Sequence, residues 1–350
     1  MKKLPKFSKS AILVEQQQPL VVDYIELPSE LSYGQVLVEI IVSGICGSQI
    51  GEIKGVKGPD KFLPHLLGHE GFGKVLSIGP GVKHVSNNDS VILHWRAGAG
   101  IQSDPPVYKW NGKNLNAGWV TTFNKYAVIS ENRCTRVKND LNPDIGALFG
   151  CAITTGFGVV ENNAQLKIGE SVVIFGAGGI GLNIVQAAKL KTAYPIIAID
   201  IFKSRLDLAE KLGATHCINS KEESPEQEIN KILGDNSLDV FIDNTGISNV
   251  IETGYRLVKK DGRVILVGVP HYKSMVSLNT LPLHFGKSLI GSHGGDTVPN
   301  LDIPRYINLY RNKKISFEDI ISSHFPLESI NKAIEAMQDG KTAGRVLINF

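Results

Sequence analysis

Residues 172–200 read VVIFGAGGIGLNIVQAAKLKTAYPIIAID, and their order decides the fold of the second half of the chain. Val172–Phe175 is a short apolar run of β-branched and aromatic residues, the pattern of a strand buried on both faces of a parallel sheet. Gly176-Ala-Gly178-Gly-Ile-Gly181 follows at once. Gly176 permits a tight turn out of the strand, Gly178 lets the backbone approach a pyrophosphate, and Gly181 lets helix and strand pack closely. Residues 180–191 then read as a helix. Its first N–H groups have no partner within the helix and carry partial positive charge, so they suit a phosphate, with Gly179 and Ile180 at the lip of the cradle. Asp200 closes the next strand nineteen residues after Gly181. A carboxylate there accepts hydrogen bonds from ribose hydroxyls and repels a 2′-phosphate, which favours NAD. Lys203 and Arg205 leave NADP open, because a cation accommodates the extra phosphate.

Outward from that segment, the same alternation repeats. Strand-like runs at 196–200, 216–219, 239–243, 263–269 and 288–291 are separated by helix-like stretches at 204–212, 225–233 and 249–259. Repeated β-α units call for a parallel sheet covered on both faces, a doubly wound Rossmann domain over residues 153–292. The first 150 residues have a different texture. Short Gly, Val and Ile runs such as 36–42, 73–78 and 90–94 alternate with turn residues and predict a mostly antiparallel β domain. The last stretch has helix-like pieces at 303–311 and 327–338 and a closing strand at 345–350. It is too small to fold alone and is expected to return to the first domain. The expected division is 1–152 with 293–350, and 153–292; the fold class is α/β.

The chain has 350 residues, enough for two ordinary domains, and a formal net charge of only +3, so no nucleic-acid partner is expected. No stretch approaches the ~20 apolar residues of a membrane span. Residues 1–10 are basic, but the apolar run at 11–14 is too short for a signal-peptide core, and a cytoplasmic protein is expected. Four cysteines in this length do not make a disulfide framework, so each serves packing or chemistry.

Two of the four are set among glycines, and a glycine-flanked histidine lies between them in sequence. Cys46 lies in Gly44-Ile-Cys-Gly-Ser48, His69 in Gly68-His-Glu-Gly71, and Cys151 in Gly150-Cys-Ala-Ile-Thr-Thr155. Cys, His and Cys make good zinc ligands, and three protein ligands leave a position for water or substrate. The gaps between them are long, and a free Cys also packs well in a core, so spacing alone leaves both readings open.

These motifs and the glycine loop occur together in one order, and over nearly all its length the chain resembles the zinc-containing alcohol dehydrogenases of the medium-chain dehydrogenase/reductase superfamily. The resemblance implies a GroES-like catalytic domain beside the cofactor domain. It implies one catalytic zinc held by Cys46, His69 and Cys151, with Glu70 beside it either as an alternate ligand or as a group behind the ligands that supports them. Ser48 would accept the proton of an alcohol whose hydride passes to the nicotinamide. Thr155, Arg345 and Gly268, with the Gly294-Gly295 pair, would contact the cofactor, and Trp95 would stand over the substrate. Relatives are commonly dimers or tetramers joined through the cofactor domain, so a homo-oligomer is expected.

Several residues depart from the family pattern. The lobe that often holds a second, structural zinc through four cysteines corresponds to residues 94–119, which contain no cysteine, so no structural zinc is expected. That stretch carries Trp95, Tyr108, Trp110 and Trp119, which either anchor a long loop or wall the substrate cleft. Gln49 stands where the family usually has an Asp that accepts the second ring N–H of the zinc-bound His; a Gln carbonyl can accept but adds no charge. Gly51 replaces a His that ends a proton relay in some members. Cys134 and Cys217 match no ligand position and read as packing residues. Two rivals remain: a zinc-free, NADPH-dependent enone or quinone reductase, and a non-catalytic relative. The Cys/His/Cys set and Asp200 weigh against the first, and the retained ligands and Ser48 against the second. The substrate class stays open among polyols, sugar derivatives and simple alcohols.

Overall fold

The computed structural model describes residues 5–234 and 236–350; the start of the basic N-terminal segment, residues 1–4, lies outside the described residues. The chain divides into two compact units. One takes the residues up to Gly55, Pro59–Cys151 and Val298–Phe350, and the other takes Val56–Gly58 and Ala152–Thr297.

The first unit is organised on the strand Gln35–Ile45. Successive side chains of a strand point to opposite faces. Val36, Val38 and Ile40 therefore enter one core with Val75, Val91 and Leu93, while Leu37 enters another with Ile12, Ile25, Tyr108 and Val128. Both faces are covered, so the strand reads as one apolar run. It pairs antiparallel with Glu70–Ile78, Tyr126–Ser130 and the C-terminal strand Arg345–Asn349. Val346 lies opposite Ile45, which brings Arg345 beside Cys46. A second, five-stranded sheet runs His65–Leu66, Phe7–Leu13, Val21–Glu26, Tyr108–Trp110, Lys113–Leu115.

The last two strands of that sheet correct the reading of 94–119 as a plain loop. They form a hairpin whose turn is Asn111 and Gly112, at φ 50° and 72°. Asn-Gly supplies the two positive-φ residues that a tight two-residue hairpin turn needs. Tyr108 is fully buried and its hydroxyl accepts the Val128 N–H at 2.8 Å, while Trp110 Nε1 donates to Asp23 at 2.8 Å. These two aromatics anchor the segment.

Helix Pro299–Arg311 starts four residues before the expected 303 and contains Pro304. Pro299 sits in the first turn, where a missing N–H costs nothing, and Pro304 removes one internal bond that burial of Ile303, Tyr306 and Ile307 offsets.

The second unit is a six-stranded, all-parallel sheet. Its order is His216–Asn219, Ile196–Asp200, Val172–Phe175, Leu238–Asp243, Val258–Leu266, Ser288–Gly291. In sequence terms that is 3-2-1-4-5-6, with the direction of winding reversed between Val172–Phe175 and Leu238–Asp243. In open sheets of this kind the ligand crevice lies beyond the C-terminal ends of the strands at the reversal. Val172, Val173 and Ile174 are completely buried, as a central strand demands. The strand expected at 263–269 begins at Val258, because Val258 pairs with Leu238 and ends the preceding helix at Leu257. The unit runs on to Thr297, since the backbone of Gly295 packs on that of Thr155 and Gly158 too closely to admit a Cβ.

Candidate active site

The ligand atoms of Cys46, His69 and Cys151 lie within 4.8 Å of one another. Each is delivered by an element end. Cys46 follows the strand Gln35–Ile45 and caps the helix Gly47–Ile53. His69 immediately precedes the strand Glu70–Ile78, and Cys151 precedes the helix Ala152–Gly158. The two sulfurs are buried, and His69 Nε2 is buried with no hydrogen-bond partner. Cys46 is held well below the ordinary thiol range, first by the hydrogen bond from Cys151 and then by the charge of Arg345, against burial that pushes it up. Cys151 moves the other way, because it keeps the proton the pair shares. Two sulfurs that favour one thiolate, and an orphaned imidazole nitrogen in the same pocket, are the donor set of a three-ligand zinc site. The residues present fit that metal.

Glu70 and Arg345 form a buried ion pair at 3.2 Å beside the sulfurs. Arg345 Nη1 also donates to the Ile45 carbonyl at 3.2 Å. Glu70, expected as an alternate ligand or as a group supporting the ligands, sits outside the ligand trio with its carboxylate turned to Arg345. The glycines of the motifs make room for it: a Cβ on Gly44 would collide with the Glu70 carboxylate, and one on Gly150 would lie 2.8 Å from Glu70 Cα. Ser48 lies in the first turn after Cys46, and its Oγ is buried without a hydrogen-bond partner. Trp95 follows the strand Ser90–His94, which pairs with Glu70, so its ring comes to 6.3 Å from the His69 ring.

Gln49 behaves differently from the sequence reading. Its carbonyl oxygen does not face His69; it accepts the Cys46 N–H at 2.9 Å. Its amide nitrogen faces His69 Nδ1. On the same side lies a cavity of about 410 Å³ lined by Gln49, Glu52, Phe62, His65, His69 and Trp119, among others. His65 is backed by Asp60, whose carboxylate lies 2.8 Å from Nε2. Glu52, Asp60 and His65 were not singled out in the sequence, because nothing in their spacing marks them.

In the second unit, Gly176 turns at φ +96° and the helix Gly179–Leu190 starts with Gly178 as its cap, with no side chain satisfying the first N–H groups. A Cβ on Gly178 would meet nothing within 4 Å, so the space above it is open. A Cβ on Gly181 would collide with the Gly176 carbonyl. Gly268 packs against the backbone of Asn244, Thr245 and Gly246, with room for no side chain. That bare cradle at the sheet reversal fits a pyrophosphate. Asp200 is 5% exposed and accepts from the N–H groups of Ala177, Ile201 and Phe202 at 2.8, 2.8 and 3.0 Å. A carboxylate offers about four acceptor sites, so about one remains for a ribose hydroxyl. Arg205 stands 3.7 Å from the same carboxylate, while Lys203 turns to Asp207. Thr155 is buried in the helix Ala152–Gly158. The sequence reading missed Asn244, whose amide is buried at the reversal with neither end hydrogen-bonded; its position at a strand end is the signal.

A family model described as "Alcohol dehydrogenase GroES-like domain" matches residues 32–139, and one described as "Zinc-binding dehydrogenase" matches residues 179–312. An alcohol dehydrogenase class-3 from Dictyostelium discoideum is 30% identical over 369 residues, covering 97% of each chain. The chain belongs to the zinc-containing alcohol dehydrogenases. It is an oxidoreductase of that kind. An S-(hydroxymethyl)glutathione dehydrogenase from Synechocystis sp. is 29% identical over 367 residues, covering 97% of this chain and 99% of that protein. The solved structure of benzyl alcohol dehydrogenase from Acinetobacter calcoaceticus matches with a TM-score of 0.88 at 26% identity, over 99% of this chain and 100% of that one.

As an alcohol dehydrogenase, the chain keeps Cys46, His69 and Cys151 together. Of the other cysteines, Cys134 is buried as expected, and burial pushes its thiol up. Cys217 is not a packing residue: it is exposed on the edge strand His216–Asn219, where its neighbour Ile218 takes the buried face.

Proposed function

We propose that this alcohol dehydrogenase binds one catalytic zinc through Cys46, His69 and Cys151 and uses NAD to interconvert a neutral alcohol and its carbonyl. The observation that carries the proposal is the convergence of the three ligand atoms within 4.8 Å beside an unpartnered Ser48 hydroxyl. When bound, zinc supplies a Lewis acid for the substrate oxygen and NAD supplies the hydride acceptor. Ser48 Oγ accepts the hydroxyl proton of the substrate as it passes its own on to water or a ribose hydroxyl, so that the serine stays neutral. Arg345 keeps Cys46 ionised by its charge, and Glu70 balances Arg345. Trp95 orients the substrate from its place near His69. The N–H groups at Gly178, Gly179, Ile180 and Gly181 would hold the phosphates, and the remaining acceptor site of Asp200 would take a ribose hydroxyl, which favours NAD. Contacts of Thr155, Gly268 and Arg345 with the cofactor rest on the resemblance alone.

The cavity beside His69 supports a neutral substrate. Its described lining holds the Glu52 carboxylate and no Lys or Arg. A carboxylate-bearing substrate, such as the one named for the glutathione-linked relatives, would meet like charge there. Phe62, Leu66, Leu67 and Trp119 suit an apolar body, while Asn116 and Thr121 suit hydroxyls.

A homo-oligomer is part of the proposal. In the short 3-10 turn that leads into the edge strand Ser288–Gly291, Leu281 and Phe285 are 61% and 66% exposed, apolar side chains that a subunit contact would cover. The four cysteines form no disulfide, which supports a reducing, cytoplasmic setting.

The test is a panel of neutral alcohols, polyols, sugars and glutathione adducts with NAD and NADP, followed by absorbance of the reduced nicotinamide. Neutral alcohols with NAD should give the highest kcat/KM, and Cys46→Ala should abolish turnover. Activity that survives Cys46→Ala, or a preference for the anionic adduct, would overturn the proposal.

A further inference from the structure

The amide of Gln49 is fixed at both ends in a place that is 2% exposed. The Cys46 N–H donates to Oε1 at 2.9 Å, and Nε2 faces His69 Nδ1. Chemistry decides which way the amide points. A main-chain N–H can only donate, so the oxygen must face Cys46; turned over, the amide would set its NH2 group against that donor. With its oxygen committed, Gln49 donates to Nδ1, and a neutral His69 then carries its proton on Nε2. Nε2 is the buried ring nitrogen with no hydrogen-bond partner, the one left to join the two sulfurs.

We infer that Gln49 is a positioning residue that holds His69 in the Nε2–H tautomer and so makes this chain grip zinc less tightly than a carboxylate at the same position would. The inference rests on the zinc reading of Cys46, His69 and Cys151. Binding through Nε2 requires that nitrogen to be unprotonated. A neutral ring must then carry its proton on Nδ1, where Nδ1–H meets the NH2 group of Gln49. One amide oxygen cannot serve both the Cys46 N–H and Nδ1–H from opposite ends of the group. In either orientation one buried donor is left unsatisfied. A carboxylate has an oxygen for each donor and adds the charge that raises ligand basicity. The cost therefore appears only when metal binds. It belongs to this chain's own choice of side chain.

The direct test is competition for zinc between the loaded full-length chain and a chromogenic chelator of known affinity. Gln49→Glu replaces one NH2 group by oxygen and keeps the shape; Gln49→Asp puts the same two oxygens on a shorter arm in case the longer one folds poorly. At least one carboxylate variant should hold zinc roughly 10–100-fold more tightly than the unaltered chain, the usual scale for such supporting contacts. Stoichiometry should not change. The neutral Gln49→Met variant separates this from the effect of added charge: it removes the opposed NH2 group without adding charge, so it should also hold zinc more tightly than the unaltered chain, whereas a packing role for Gln49 would leave affinity there unchanged or lower it. Equal or tighter binding by the unaltered chain, lost in Cys46→Ala, overturns the inference while leaving the zinc site intact. Failure of both carboxylate variants to fold also counts against it, because the inference requires that a carboxylate fit. If the unaltered chain binds no zinc, the zinc reading itself falls and takes this inference with it.

Discussion

His94 should make the first unit acid-sensitive, and the size of the effect follows from its surroundings. The ring is 1% exposed; Nδ1 lies 2.8 Å from the Arg96 carbonyl and Nε2 lies 2.9 Å from Thr135 Oγ1. A carbonyl only accepts, so Nδ1 carries the proton and the Thr135 hydroxyl donates to Nε2. Burial is the main cause that lowers its pKa to about 4, and the charge of Arg133 adds to it. The unfolded chain, with a His near 6.5, binds the extra proton first, so stability is present above pH 6.5 and is lost as pH falls through 4. From those two values the loss is about 2 kcal/mol at pH 5 relative to pH 7.5, and about 3 kcal/mol by pH 4. Urea unfolding followed by tryptophan fluorescence isolates the effect. All three tryptophans, Trp95, Trp110 and Trp119, lie in the unit that holds His94. His94→Asn removes the titrating ring. It should be less stable than the unaltered chain at pH 7.5, and the gap should shrink by about 2 kcal/mol at pH 5. A gap that stays constant between those pH values would refute the reasoning.

Gly181→Ala should cut NADH affinity at least tenfold, because its Cβ meets the Gly176 carbonyl and the phosphate loop must shift. NADH fluorescence titration, with a melting curve to show the variant is folded, measures this. Asp200→Asn should weaken NADH binding by about tenfold or more and narrow the gap to NADPH, since the amide keeps the shape but loses a charged acceptor. An unchanged NADH affinity would remove Asp200 from the ribose site. Phe285→Asp should shift the chain to a smaller species in size-exclusion chromatography with light scattering; no shift would place the subunit contact elsewhere.

The cofactor unit was the more legible half of the sequence. Its central strands are buried on both faces and its helices alternate with the strands, so Val172–Phe175, Ile196–Asp200, His216–Asn219 and Ser288–Gly291 stand where the pattern put them. Local pattern failed where a partner decides the outcome. Leu257 ends its helix because Val258 pairs with Leu238, twenty residues away in sequence. The hairpin at Asn111-Gly112 was legible in principle, since that dipeptide is a strong turn signal. The runs on either side of it are only three residues long and hid it. Cys217 was misread because an edge strand leaves one face open. In the site, Cys46, His69 and Cys151 lie far apart in sequence, and spacing alone could not join them; only the order of whole motifs could. The side chain of Gln49 shows the limit most clearly. Sequence identifies the residue, but which end of its amide faces His69 depends on the Cys46 N–H, which only the folded backbone brings to it.

The measurement that bears most directly on the zinc site is metal analysis of the purified chain beside its Cys46→Ala and His69→Ala variants. The unaltered chain should carry about one zinc per chain, and each variant should lose it while still binding NADH. No zinc, about two zincs per chain, or zinc retained after both substitutions would contradict the account.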